Sequence, residues 1–141
     1  FRDPDIYYFV VRVLIGDRDD WCSPQQAQGH VQAMRLSGGE ATIRIFPGSA
    51  HSFDRGAPVW RIPEAAVSPA APTGYIADDG ALVHPASGKA DAALVDRDLM
   101  VYALKAGYGV KGASLGSNGD DAKEFAEDMT AFWRPLATAH S

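Results

Sequence analysis

The sequence predicts an α/β fold: parallel strands joined by a crossover helix and closed by a C-terminal helix. Three observations carry that prediction. Residues 6–15 (IYYFVVRVLI) form a near-continuous apolar run rich in β-branched and aromatic side chains, the pattern of a strand buried on both faces. Residues 41–46 (ATIRIF) place Ile43 and Ile45 on one face and Thr42 and Arg44 on the other, the period of a second strand. Between them lies a helix, and the order strand, helix, strand makes the two strands parallel with a right-handed crossover.

The remaining elements follow along the chain. Ser23-Pro24-Gln25-Gln26 is a helix start, with Ser as N-cap, Pro in the first turn and Gln three residues after the cap. Ala27, Val31, Met34 and Leu36 give that helix an apolar stripe, and Gly38-Gly39 stops it. Residues 65–74 (AAVSPAAPTG) read as an extended loop, and residues 76–83 as a small hairpin on an Asp-Gly turn. Leu94 to Leu104 is helical and ends near Gly107. Residues 107–119 hold five glycines and read as loop. The last helix covers Asp120 to Trp133, with Phe125, Met129, Phe132 and Trp133 on one face, acids at its positive start, and Pro135 as its end. Residues 55–110 separate the second strand from this helix by more than a connection needs. They read as a surface excursion or as a cap over the site.

The bulk numbers narrow the partners. A chain of 141 residues suits one domain with one core. A net charge of −5 gives no reason to expect nucleic acid or an anionic membrane surface, and no apolar run is long enough to span a bilayer. The single cysteine, Cys22, forms no internal disulfide and leaves the redox compartment open. The chain starts at Phe1, as a processed or truncated chain would.

Two residues at the strand ends carry chemistry. Asp19 follows the first strand in Gly16-Asp17-Arg18-Asp19-Asp20-Trp21, and His51 follows the second in Gly48-Ser49-Ala50-His51-Ser52-Phe53-Asp54. In a parallel sheet the loops after successive strands gather at the carboxyl edge, where ligand sites lie. Neighbouring strands are roughly 5 Å apart, so the two side chains can meet across that edge. A serine or cysteine nucleophile must lose a proton to attack a carbonyl; a histidine takes it and later returns it to the leaving group. The carboxylate holds the imidazole in the right tautomer and stabilises the imidazolium.

Residues 13–21 (VLIGDRDDW) and 46–54 (FPGSAHSFD) resemble the C-terminal part of the dienelactone hydrolase family of α/β-hydrolases. The resemblance runs from about Val11 to Asp54, and the glycine-rich loop and final helix are similar but less distinctive. It implies the C-terminal portion of an α/β-hydrolase fold across residues 1–141, and hydrolysis of a small carboxylic ester or lactone with no cofactor and no metal. It implies Asp19 as triad acid and His51 as triad base, with Asp20 as the fallback acid. The family's nucleophile, Cys or Ser, sits on a strand-to-helix elbow upstream of the acid, so it is expected before Phe1. Two other readings use the same signals: an α/β-hydrolase of the peptidase type, and a binding scaffold that has lost its chemistry.

Other motifs weigh less. Gly112-Ala113-Ser114-Leu115-Gly116 matches G-x-S-x-G, but the elbow needs a strand directly before the Ser and a helix directly after it, and residues 105–111 do not read as strand. Cys22 precedes a helix N-terminus but has no glycine elbow, and reads as a small buried or half-buried residue. Residues 17–20 resemble the start of a calcium loop, yet its sixth and twelfth positions hold Cys22 and Gln28. His30, His84 and His140 share no metal-ligand spacing with one another or with Cys22. Trp60 and Tyr75 read as local packing anchors.

Overall fold

The structure, a computed structural model, describes residues 10–139. Residues 6–9 of the first expected strand, and His140, lie outside that range. The molecule is a mixture of helices and small sheets, one of them parallel, compatible with the α/β class. It divides into two compact units: the chain up to Arg61 together with Ser114 onward, and Ile62–Ala113. The second unit begins and ends slightly later than the 55–110 segment singled out from the sequence.

In the first unit, β1 (Val10–Gly16), α1 (Pro24–Leu36) and β2 (Glu40–Phe46) follow in order, and β1 and β2 pair in parallel. The register runs unbroken from Val10↔Glu40 to Gly16↔Phe46, so the two strands finish level. α1 begins as its sequence dictates, with Ser23 Oγ accepting from Gln26 N at 3.2 Å and Pro24 in the first turn, where a missing N–H costs nothing. Val31 is its one buried side chain. Leu36 is 79% exposed: at 100° per residue it lies about 140° around the helix from Val31, off the stripe.

β1 is half-buried rather than enclosed on both faces, with only Ile15 and Gly16 buried. Its apolar run is covered thinly by α1, and β2 is its only strand partner among the described residues.

Packing is centred just past the end of β2. Phe46 is buried, and its ring lies 4.8 Å from that of Phe53 on the 3-10 turn Phe53–Arg55. Phe53 in turn meets Phe125 edge-on at 5.4 Å. Phe125 belongs to α3 (Asp121–Ala139). The same helix is tied to the strands by charge. Arg12 grips Asp128 with two bonds of 2.9 and 2.8 Å, and Arg44 reaches both Asp128 (3.2 Å) and Glu124 (2.8 Å). The Arg12 hydrogen bond holds the Asp128 carboxyl below the usual carboxylate range, against the opposing effect of burial.

α3 does not stop at Pro135 but continues to Ala139. Pro135 removes one backbone donor from the helix, and in the turn that follows Thr138 Oγ1 donates to Arg134 O and Pro135 O. Trp133 is exposed rather than part of the packed face, because it lies about 80° around the helix from Phe125.

The second unit holds a three-stranded antiparallel meander of β4 (Tyr75–Ile76), β5 (Leu82–Val83) and β6 (Ala90–Asp91). The β4–β5 turn is the expected hairpin, with Tyr75↔Val83 and Ile76↔Leu82 paired and Gly80 N donating to Ala77 O. α2 (Asp96–Lys105) starts where the Asp98 carboxylate accepts from Val95 N. Before and after these elements, β3 (Trp60–Val67) and β7 (Val110–Leu115) pair with each other. The sequence reading placed residues 65–67 and 110–115 in loops. Their strand character comes from a partner distant in the chain, which overrides local proline and glycine content. Trp60 and Tyr75 are exposed, so neither anchors local packing.

Candidate active site at the level strand ends

The paired register of Gly16 and Phe46 sends both following loops out from the same edge of the sheet. Backbone bonds knit the two loops together at once: Asp17 N donates to Phe46 O (3.1 Å) and Arg18 N to Ser49 O (3.0 Å). The Asp17 carboxylate accepts from Gly48 N at 2.7 Å. Gly16 makes this approach possible, since any Cβ there would overlap the Ser49 carbonyl. A side chain at the end of β1 would therefore push the loops apart.

Asp19 and His51 meet where the loops meet. Asp19 Oδ2 lies 3.0 Å from His51 Nδ1. The other carboxylate oxygen, Oδ1, accepts from Trp21 N (2.9 Å) and Cys22 N (2.8 Å), which fixes the carboxyl plane. Asp19 is buried, and the His51 side chain is 35% exposed. In the tautomer that donates Nδ1–H to Oδ2, Nε2 is the acceptor of the ring. Among the described residues no side chain hydrogen-bonds Nε2. The Trp21 ring lies 5.7 Å from the imidazole at 30°, walling one side of it.

His51 is held on both flanks. Its carbonyl accepts from Gly116 N and the neighbouring Ala50 N donates to Gly116 O, both at 2.9 Å, a parallel bridge onto the end of β7. Gly116, at φ +119°, sits where a Cβ would strike the Pro58 carbonyl. On the next position, Ser52 takes φ 56°, the one left-handed non-glycine residue among those described. Such a conformation costs of order 1 kcal/mol or more and persists where surrounding contacts over-determine it, as at functional sites. Phe53 supplies that constraint by burying its ring directly after the turn.

The two neighbouring acids are distinguished by what they bind. Asp20 Oδ1 accepts from Ser114 N at 3.0 Å, so the fallback acid is engaged with β7 rather than with His51. The Trp21 indole donates to Ser114 O at 3.2 Å. Ser114 lies within β7 and six positions separate it from the start of α3, so the G-x-S-x-G match is no elbow. Here a strand does precede the Ser, contrary to the sequence expectation, but no helix follows it directly.

Cys22 is exposed rather than buried. Its thiol is raised above the ordinary range, first by desolvation and then by the Asp19 charge. Donor atoms of Asp19, Cys22 and His51 nonetheless all lie within 4.8 Å of one another, a grouping that the spacing of the histidines did not suggest. His30 is exposed on α1.

The supporting residues were not singled out from the sequence. Ser49 is fully buried, its Oγ donating to Asp121 Oδ2 (2.6 Å) and accepting from Asn118 N (3.0 Å). Asn118 Nδ2 donates to Pro47 O at 3.1 Å. The start of α3 thus fixes the histidine loop through contacts some 70 residues apart, for which no local signal exists. Comparison with protein-family models, curated proteins and solved structures finds no match for this chain.

Proposed function

We propose that this chain carries the acid and base of an α/β-hydrolase site similar to that of the dienelactone hydrolase family, acting on a small carboxylic ester or lactone. The observation that supports it best is the Asp19 Oδ2–His51 Nδ1 contact of 3.0 Å at the level ends of two parallel strands, with Nε2 left without a protein partner among the described residues. In this reading Nε2 takes the proton of a Ser or Cys nucleophile as it attacks the acyl carbon, and returns it to the departing alkoxide. Water repeats the cycle to release the acid. Asp19 keeps the proton on Nδ1 and stabilises the imidazolium as it forms.

The test is turnover of a panel of aryl esters, lactones and short peptides by the full-length protein that carries this sequence, beside its His51→Ala variant. Ester or lactone turnover that falls by roughly three orders of magnitude or more in the variant, with the fold intact by circular dichroism, is the expected result. Turnover confined to peptides would move the assignment to a peptidase. Near-normal turnover in His51→Ala, or none in either protein, would overturn it.

A further inference from the structure

We propose that Asp19, Cys22 and His51 together form a binding site for a borderline-soft divalent cation, of which zinc is the type case, and that its occupancy switches off the histidine as a base. The three residues offer one oxygen, one sulfur and one nitrogen donor, all within 4.8 Å of one another. Tetrahedral bonds of about 2.0 to 2.3 Å would set donors roughly 3.3 to 3.8 Å apart. Asp19 and His51 are already closer than that, at 3.0 Å, so most of the closing falls to the exposed Cys22.

The placement is not a loose surface encounter. Cys22 N and Trp21 N both donate to Asp19 Oδ1, so the backbone of Cys22 is fastened to the carboxylate whose neighbour it would join at the metal. His51 is fixed by the β7 bridge behind it. Two donors come from one loop and the third from another, and those loops are locked by the Gly48–Asp17 bond of 2.7 Å. Three protein donors leave a fourth position open on the side where Cys22 is exposed and His51 half-buried. A thiolate in the set selects zinc-like ions over magnesium or calcium, which prefer oxygen alone.

On binding, the Cys22 thiol loses its proton to solvent as the sulfur–metal bond forms, and the imidazole supplies a neutral nitrogen lone pair. Either ring nitrogen gives the same consequence. Coordination through Nε2 consumes the acceptor directly. Coordination through Nδ1 requires the other tautomer, in which Nε2 carries the proton and accepts none. The binding step stands apart from the hydrolytic reading; only the loss of activity rests on it.

Cobalt(II) titration of the 141-residue chain, followed by absorption, tests the binding step without any activity assay. Cys22 is the only cysteine, so a thiolate-to-cobalt charge-transfer band reports that residue alone. The band should saturate at one equivalent, be displaced by zinc but not by magnesium, and vanish in Cys22→Ser. His51→Gln should weaken the affinity beyond the roughly 10- to 100-fold cost of losing a residue that merely supports a ligand, while His84→Gln should leave it unchanged. Absence of the band, or a band whose midpoint is the same in His51→Gln, would overturn the site.

Discussion

Gly16→Ala tests whether the two loops are held together as described. The added methyl has no free space: it would overlap the Ser49 carbonyl oxygen and carbon, which are backbone and cannot swing aside. Forcing an atom into such a contact costs about 1–3 kcal/mol. Relief by moving the 47–51 loop outward weakens the charge-assisted bond from Gly48 N to Asp17, itself worth about 1.5–3 kcal/mol, and the Arg18 N to Ser49 O bond beside it. The two routes are alternatives, so the cost is set near 2–3 kcal/mol. For a chain of this size that lowers Tm by about 5–10 °C. Gly29→Ala is the control. Gly29 lies inside α1 with nothing within 4 Å of the new Cβ, and should gain about 0.5–1 kcal/mol from the better helix residue. Differential scanning calorimetry of both variants reads the opposite shifts directly. A Gly16→Ala protein that melts with the wild type, or a Gly29→Ala protein that falls as far, would refute the close packing of the loops.

Two further outcomes follow from the packing and the charges. Phe53→Ala removes the ring between Phe46 and Phe125 and should cost about 3–5 kcal/mol in urea unfolding, whereas Trp133→Ala, at an exposed ring, should cost well under half of that; equal costs would contradict the aromatic core. Asp128 has its carboxyl depressed chiefly by the Arg12 hydrogen bond, so its stabilisation is complete above the unfolded value of about 3.9 and is lost as pH falls through the lower folded value. Asp128→Asn should therefore be less stable than wild type near neutrality, with the gap closing only below about pH 4 in urea midpoints measured across pH; a gap constant down to the acid limit would refute the assignment.

The local elements were legible where the signal is local. Ser23, Pro24 and Gln26 start a helix by capping chemistry that involves no distant residue, and the alternation of residues 41–46 sets a strand face on its own. The Asp-Gly hairpin was legible for the same reason. That Asp19 and His51 meet was legible because strand–helix–strand order makes the strands parallel, and loops that follow parallel strands leave by the same edge. Residues 110–115 were read as loop since Gly112 and its glycine neighbours dilute any strand pattern, and only pairing with Trp60–Val67 makes them a strand. Leu36 and Trp133 are exposed because they lie off the buried stripe of their helices, and Cys22 because apolar character alone does not say what a neighbouring layer covers. The Ser49–Asp121 bond joins a loop residue to the first residue of α3 with no shared motif, so nothing short of the fold reveals it.

The most direct test of the acid–base pair compares Asp19→Asn with Asp20→Asn in the full-length protein, assayed on its best ester or lactone substrate. Asparagine at position 19 keeps the shape but alters which ring nitrogen holds the proton, and should lower kcat by about 10⁴-fold. Asparagine at position 20 still accepts from Ser114 N, and turnover should stay within a few-fold of wild type. A large loss in Asp20→Asn with turnover preserved in Asp19→Asn would contradict the pairing of Asp19 with His51 as the working acid and base.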